Sequence, residues 1–464
     1  MQVEYWEDKT IMKNNSYFES TIEFHGDTYF IAAQIIDKEL FENYLFYENN
    51  EDFSLGIGIY SLLTVDSEYT TININGDTQC FKNAVLSETI HKAFSLVTLK
   101  DWRAYGVANF GLARYNHNLP LLSEDNNLLK LFIPEIEVRF SKSKILLRAI
   151  GEDKLQEIDV LIRNILNDTD NTNSESSLAK RVAAQKLEVP EADTYNSHGY
   201  MELVAKAVKE INDRRYQKVI LSRKIPLNQE IDMVASFIAG RRVNSPARSF
   251  ILSIDGLTAT GFSPETVVEV DANGWVSTLP LAGTRSCGCD GEEQKKLKEE
   301  LINDTKEIAE HAVSVKLAFE EMSCACEPET IAVSDFMSIA NRGTVQHIAS
   351  KLRGKLKAGY NSWHAFNSLF PAVTASGIPK SESIEAIGRL EPVPRNLYSG
   401  CVMTVDSDGA MDAALVLRTI YQKDKTAWLH AGAGIVKMSK PIRELEETRE
   451  KLSSFSKNLL SLKQ

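Results

Sequence analysis

The sequence predicts an α+β protein, on three observations. Its first half is a series of strand-like runs with few helix signals. Its second half adds two long helical segments. Between those helices, an Asp-Ser-Asp-Gly turn joins two extended apolar runs as a hairpin. Mixed sheets carrying long helices follow from that pattern.

In chain order, TYFIAAQII (28–36), SLGIGIYSLLTV (54–65) and KILLRAIG (144–151) read as strands. NDTDNTNSESSLAKR (167–181) is polar and lacks apolar periodicity, so it reads as a loop separating two halves near residue 190. YMELVAKAVKEIN (200–212) has helical spacing, and the strand YQKVILSRK (216–224) follows. ARSFILSID (247–255) and ETVVEVD (265–271) read as further strands. One helix is expected over about 291–322. VMTVDSD (402–408) and GAMDAALVLRTIYQ (409–422) form the hairpin. KPIRELEETREKLSSFSKNLLSLK (440–463) is a terminal helix with Pro441 in its first turn.

Composition narrows the function classes. The 464 residues are 43% apolar and 25% charged, enough for a large core. A net charge of −12 argues against a nucleic-acid binder, which needs a basic footprint. The N-terminus lacks a basic start and apolar core, and no apolar run approaches the ~20 residues of a membrane helix. A cytoplasmic protein without a membrane partner is expected. Six cysteines do not make a disulfide scaffold. The pairs Cys287/Cys289 and Cys324/Cys326 have C-x-C spacing, a poor match to zinc sites, and read as reduced thiols.

Two features ask for chemistry. Lys218 opens an apolar strand and shares the face of Ile220 and Ser222, although lysine is almost never buried without a partner. The two long helices also repeat one acidic pattern. Leu301, Ile308, Val315 and Met322 mark the stripe of the first, and Leu445, Leu452 and Leu459 that of the second. Glu307 and Glu310 flank Ile308 as Glu444 and Glu447 flank Leu445, and residues three apart share a helix face. Lys451 falls on the face of Glu444 and Glu447. These are solvated faces, or else four carboxylates around a cation such as Mg²⁺, which takes oxygen ligands. Spacing leaves both open.

Ten segments in fixed order then carry a resemblance. They are YQKVILSRK, GFSPE (261–265), LPLAGTR (279–285), DTKEIAEH (304–311), RGTVQH (342–347), FPAVTASGIPK (370–380), RNLYSG (395–400), ALVLRT (414–419), LHAGAGIV (429–436) and ELEETREKL (444–452). Together they resemble the catalytic region of the chorismate-utilising enzymes, which include anthranilate, aminodeoxychorismate, isochorismate and salicylate synthases. The resemblance implies the anthranilate synthase component I-like fold, in which large mixed or antiparallel sheets pack together with helices outside. It covers 191–464, the chorismate-binding catalytic region, and leaves 1–190 as a variable N-terminal portion of the same compact fold.

The resemblance also implies roles. Lys218 matches the base that activates water at C2 of chorismate, and Glu265 the acid that protonates the departing C4 hydroxyl. His347, grouped with them, and Thr374 match the pocket wall near the reacting ring. Glu310 and Glu447 match direct Mg²⁺ ligands, with Glu307 and Glu444 acting through water. Tyr398 and Arg418 match the residues holding the pyruvyl carboxylate, Gly283, Thr284 and Gly434 match backbone and hydroxyl contacts, and Lys451 matches a carboxylate-side lysine. No amidotransferase subunit is needed, and a monomer or at most a weak dimer is expected.

Three positions bear on the member. Amine-transferring relatives normally carry glutamine at Lys218, and the 4-amino enzymes a lysine where this sequence has Ala282. Both favour water as nucleophile. FPAVTASGIPK resembles the salicylate synthases of siderophore pathways, whereas isochorismate synthases commonly show His-Pro-Thr there. Anthranilate synthases share a related Phe-Pro-Ala. Salicylate synthase is the reading favoured, with release of isochorismate as the alternative.

Overall fold

The computed structural model describes residues 15–49, 52–171, 177–287, 291–343 and 345–462. Among them the strands form an 11-stranded and a 12-stranded sheet built from antiparallel pairings. The first sheet runs from the edge strand Phe18–Glu23 through Tyr44–Asn49, Arg248–Ile254, Leu257–Ser263, Thr419–Lys423 and Thr426–Val436. It ends on Lys218–Leu227 and the short Gly377–Ile378. The second starts at Leu281–Ser286 and Val345–Lys355, and passes through Met411–Leu415 and Cys401–Asp406 to Arg103–Ala108 and further N-terminal strands. Strands from before and after residue 190 therefore share both sheets.

Apolar side chains from the facing strands fill the space between the sheets: Leu45, Tyr105, Phe132, Phe250, Leu252, Val402 and Tyr421. Helices cover the outer faces. The C-terminal helix Pro441–Ser456 lies along Thr426–Val436, and Met233–Val243 packs on Leu257–Ser263.

The backbone passes from sheet to sheet at short breaks, and two of them matter for function. Leu257–Ser263 belongs to the first sheet and Thr266–Val270 to the second, so Pro264 and Glu265 sit at the crossing. GAMDAALVLRTIYQ, expected as one strand, is two: Met411–Leu415 in the second sheet and Thr419–Lys423 in the first. The break falls at Val416–Arg418, where Arg418 has φ +50° and so cannot continue a pleated strand. The crossings are tied together, because the Leu415 N–H donates to the Glu265 carbonyl and the Phe262 N–H to that of Arg418.

Three other local expectations change. TYFIAAQII is the helix Thr28–Ile36: the Asp27 side chain accepts from the Tyr29 and Phe30 N–H groups, a helix start that outweighs the run's strand propensity. The helix expected over 291–322 is broken into Gly291–Asn303 and Thr305–Ala325. Asp304 is extended and caps the second helix through the Lys306 and Glu307 N–H groups. The polar stretch at 167–181 is helical at both ends, since Glu152–Asn171 and Ser177–Val182 reach into it. Ile158, Ile162 and Ile165 bury one side of the former, and that apolar stripe lies upstream of the stretch itself.

The strand with Lys218 pairs with Thr426–Val436 along its whole length but with Gly377–Ile378 only at Lys218 and Val219. Gly377 has φ +141°, and a Cβ there would lie 2.3 Å from the Lys218 carbonyl oxygen. Gly377→Ala is therefore expected to lower stability by about 2 kcal/mol or more. The midpoint of urea unfolding, at unchanged m, checks this.

Candidate active site

Glu265 leaves the first sheet as a buried carboxyl, 3% exposed. The Thr374 hydroxyl donates to it, and the Leu281 N–H contributes a further hydrogen bond. Burial outweighs these bonds and the nearby charges of Arg342 and Lys218, and pushes its pKa up to about 7. A carboxyl titrating there is half protonated near neutral pH, so it can give up a proton as an acid. Arg342 supports the same corner from behind, its Nε donating to the Pro264 carbonyl at 2.8 Å.

Lys218 is 6% exposed, and its ammonium donates to Glu310 on the helix Thr305–Ala325. The partner that the sequence argument asked for is thus a carboxylate. Gly434, opposite Ile220 in the register, lets the lysine stem pass: a Cβ there would lie 3.2 Å from Lys218 Cε.

A bulge shapes the next wall. The register of Leu281–Ser286 against Val345–Lys355 shifts between Ala282 and Thr284, and Gly283 supplies φ +67° at that point. The Gly283 carbonyl lies 3.2 Å from His347 Nδ1, and Arg418 Nη2 lies 3.0 Å from His347 Nε2. Arginine only donates, so His347 Nε2 accepts and Nδ1 carries the proton. Burial, and then Arg418, hold His347 well below its usual pKa, so it stays neutral. His347, expected among the catalytic groups, is here an acceptor that orients Arg418. Burial and Arg342 lower Arg418 to about 10, still a cation at neutral pH. Thr284 pairs with His347 in the backbone register. The hydroxyl contact expected of it lies outside the described residues.

Tyr398 is buried and stacks on His430 with ring centroids 3.9 Å apart. Lys451 reaches from the C-terminal helix to the Gly432 carbonyl at 2.9 Å and to Glu447 at 2.8 Å. A Cβ on Gly432 would meet the Tyr398 hydroxyl at 3.1 Å, so these groups share one wall.

The two acidic helix pairs are partly covered, the side chains of Glu307, Glu310 and Glu447 being 15%, 28% and 34% exposed. Glu444 is 7% exposed, and Glu307 packs on Gly283 with Arg285 3.7 Å away. Burial, with Glu310 as neighbour, raises the Glu307 pKa; burial, with a smaller push from Glu447, raises that of Glu444. The helices approach each other, since the charge of Lys306 acts on Glu444 and Glu447. Their convergence is incomplete. Lys218 holds Glu310 and Lys451 holds Glu447, and among the described residues no three His, Cys, Asp or Glu side chains stand close enough together to hold a metal ion. The donor chemistry, all oxygen with two of the four carboxyls raised mainly by burial, does fit a hard divalent cation. The C-x-C pairs add nothing to it: Cys324 is exposed, Cys326 is buried, and Cys289 lies outside the described residues.

The structure thus brings Lys218, Glu265, Thr374, Gly283, His347 and Arg418 to one end of the space between the sheets. Sequence reasoning passed over Arg342, Arg395, Ser222, Glu391 and His430. The first two lie inside RGTVQH and RNLYSG, where an arginine in each motif was the available signal. Among the described residues no helix is long and apolar enough to cross a membrane.

The profile of a family described as chorismate binding enzyme matches residues 42–457. A salicylate synthase from Mycolicibacterium paratuberculosis is 37% identical over 446 residues, covering 94% of this chain and 95% of the relative. The menaquinone-specific isochorismate synthase from Escherichia coli superposes with a TM-score of 0.70 at 19% identity, over 95% of this chain and 94% of that one. Anthranilate synthase component I from Streptococcus pneumoniae gives 0.69 at 21% identity, over 88% and 92%.

The carboxyl of Glu265 is expected to titrate near pH 7 when followed by ¹³C NMR. The Thr374 hydrogen bond favours the charged form, so Thr374→Val should move that titration to higher pH. A titration in the ordinary carboxylate range near 4.3 would refute the burial argument.

Proposed function

The chain belongs to the chorismate binding enzymes, and from that premise we propose that it is a salicylate synthase, converting chorismate through isochorismate to salicylate and pyruvate. One observation carries the reading: the Lys218 amine and the half-protonated Glu265 carboxyl are both buried, with Arg342 bonded to the turn before Glu265 and Arg418 near enough to feel that carboxyl's charge. Near-full-length similarity to a salicylate synthase supports the choice within the family.

In the proposed first stage, Lys218 takes a proton from water as its oxygen bonds to C2. The ring double bonds shift, and Glu265 gives its proton to the C4 hydroxyl, which leaves as water. One water enters and one leaves, so isochorismate is an isomer of chorismate. Donation by Glu265 weakens as pH rises through about 7, because the protonated fraction is lost. Lys218 must first part from Glu310 and give up its ammonium proton, so that the neutral amine is the base. In the second stage the C2 hydrogen passes to the enolpyruvyl methylene as the ether bond from ring carbon to oxygen breaks, leaving salicylate and pyruvate. No further acid or base is required, only an enolpyruvyl group held over the ring. Arg418, aimed by His347, and Tyr398 supply that hold at the pyruvyl carboxylate, where arginine's fork suits two oxygens.

Glu310 and Glu447 would hold Mg²⁺ directly, with Glu307 and Glu444 acting through water. Once bound, the ion would neutralise this acidic cluster and receive the ring carboxylate. The reading has 191–464 as catalytic region and 1–190 as a supporting portion, acting without an amidotransferase subunit. Release of isochorismate is the second reading, favoured by the fold likeness to isochorismate synthases.

Purified protein with chorismate and Mg²⁺ is expected to yield salicylate and pyruvate in equal amounts. Isochorismate accumulating without pyruvate would select the second reading, and turnover only with ammonia would reject both. Lys218→Ala should abolish turnover of chorismate while sparing at least part of pyruvate release from supplied isochorismate.

Glu310→Gln is expected to weaken Mg²⁺ binding, followed by calorimetry, at least tenfold without unfolding the protein. An unchanged isotherm would remove Glu310 from the metal set.

A further inference from the structure

We propose that Arg395 and Glu391 are positioning residues that set the base, the acid and the groups holding the enolpyruvyl arm in register, with Ser222 and His430 carrying their hold to Tyr398. The inference rests on the roles given above to Lys218, Glu265 and Tyr398.

Arg395 and Glu391 are nearly wholly buried, with side chains 1% and 4% exposed. A guanidinium has five N–H donors, and every nitrogen of this one is engaged. Nε and Nη2 grip Glu391 at 2.9 and 2.6 Å. Nη2 also donates to the Ile220 carbonyl at 2.7 Å, and Nη1 to the Ala375 carbonyl at 2.7 Å and the Ser399 hydroxyl at 3.3 Å. Those three acceptors stand two residues after Lys218, one after Thr374 and one after Tyr398. Thr374 in turn donates to Glu265. One rigid planar group thus indexes the segments carrying the base, the partner of the acid and the tyrosine. Lysine, with a single nitrogen, cannot reproduce that fork.

The pair also completes a strand edge. Gly377–Ile378 covers only the first two residues of the Lys218 strand. Beyond them, Arg395 supplies the donor for the Ile220 carbonyl, and Glu391 Oε1 accepts from the Ser222 N–H at 2.7 Å. An ion pair continues the ladder where backbone ends, so the height of Lys218 in the pocket depends on it. Glu391 Oε1 accepts from the Ser222 hydroxyl as well, at 2.9 Å. That leaves the Ser222 oxygen to accept from His430 Nε2 at 3.0 Å. The imidazole, so oriented, lies flat on Tyr398, with planes 11° apart.

The test uses the full-length protein with chorismate and Mg²⁺. Arg395→Lys is expected to lower kcat per folded molecule about 100-fold, the scale of a misplacement near 1 Å. His430→Leu, which removes the ring over Tyr398, should raise KM about tenfold with kcat little changed, and His430→Phe, which keeps a ring but loses the bond to Ser222, should leave KM raised; a KM restored by Phe would overturn the link from Glu391 to Tyr398. A purely structural role would lower the thermal midpoint and leave kcat and KM of the folded fraction as in the parent, and that result overturns the proposal. If Arg395→Lys does not fold, Ser222→Ala replaces it, with a rise in KM expected through loss of the bond to His430 and an unchanged KM overturning the proposal. If the parent does not turn over chorismate, the functional reading fails separately. The positioning claim is then judged on the Glu265 NMR titration, which a displaced Thr374 in the substituted protein must raise and an undisturbed Thr374 leaves in place.

Discussion

Charge can be buried between two sheets only where each charge finds its partner, and Arg395 with Glu391 meets that condition most fully. The pair closes the open edge of the Lys218 strand, anchors the turn with Thr374 and backs the loop with Tyr398. Removing one member of such a pair leaves the other stranded, typically at a cost of about 3–5 kcal/mol. The rest of the pocket is built outward from this fixed point, and its remaining polar groups are placed by shorter-range contacts.

Two carboxyls near Lys218 show how placement becomes chemistry. Glu310 is in direct contact with the ammonium. Among the described residues Glu265 has a hydroxyl and a backbone N–H as hydrogen-bond partners, in a site drier than either can offset, and its pKa climbs to about 7. The same residue type is thereby sorted into a charge partner and a carboxyl that titrates near neutrality, which is how paired titratable groups can acquire separate tasks. His347 undergoes a similar sorting, because a carbonyl on one side and an arginine on the other leave it one tautomer and no charge.

Much of this was legible in the sequence. Period-two and helical spacings located the Lys218 strand, the 200–212 helix and the hairpin, and ten ordered motifs pointed to the fold. What was not legible has physical causes. In TYFIAAQII, a capping aspartate just outside the run decided for helix. In GAMDAALVLRTIYQ, a left-handed residue at Arg418 splits a run whose apolar pattern is unbroken. Spacing left the acidic helix faces open between solvent and a cation because it does not show what packs on them: Glu444 is buried, while Glu310 and Glu447 are half-buried against lysines. Arg395 and Glu391 were silent for another reason: what they tie down includes the Ile220 and Ala375 carbonyls and the Ser222 N–H, backbone groups that leave no trace in residue identity.

The sheet crossings explain why the site lies where it does. Where a strand leaves one sheet for the other, its ladder stops and its side chains no longer alternate between a core and an outer face. Glu265 and Arg418 both stand at such points, and hydrogen bonds between the two crossings hold them together. There the apolar filling between the sheets gives way to a charged pocket without breaking either sheet. This also reconciles a protein of net charge −12 with a dicarboxylate ligand such as chorismate. Screening at physiological salt confines a surface charge's influence to about 8 Å. At the proposed site the cations Lys218, Arg342, Arg418 and Lys451 therefore count for more than the net charge, two of them paired with the carboxylates Glu310 and Glu447. Acidic surface elsewhere favours solubility and leaves that local sign unchanged.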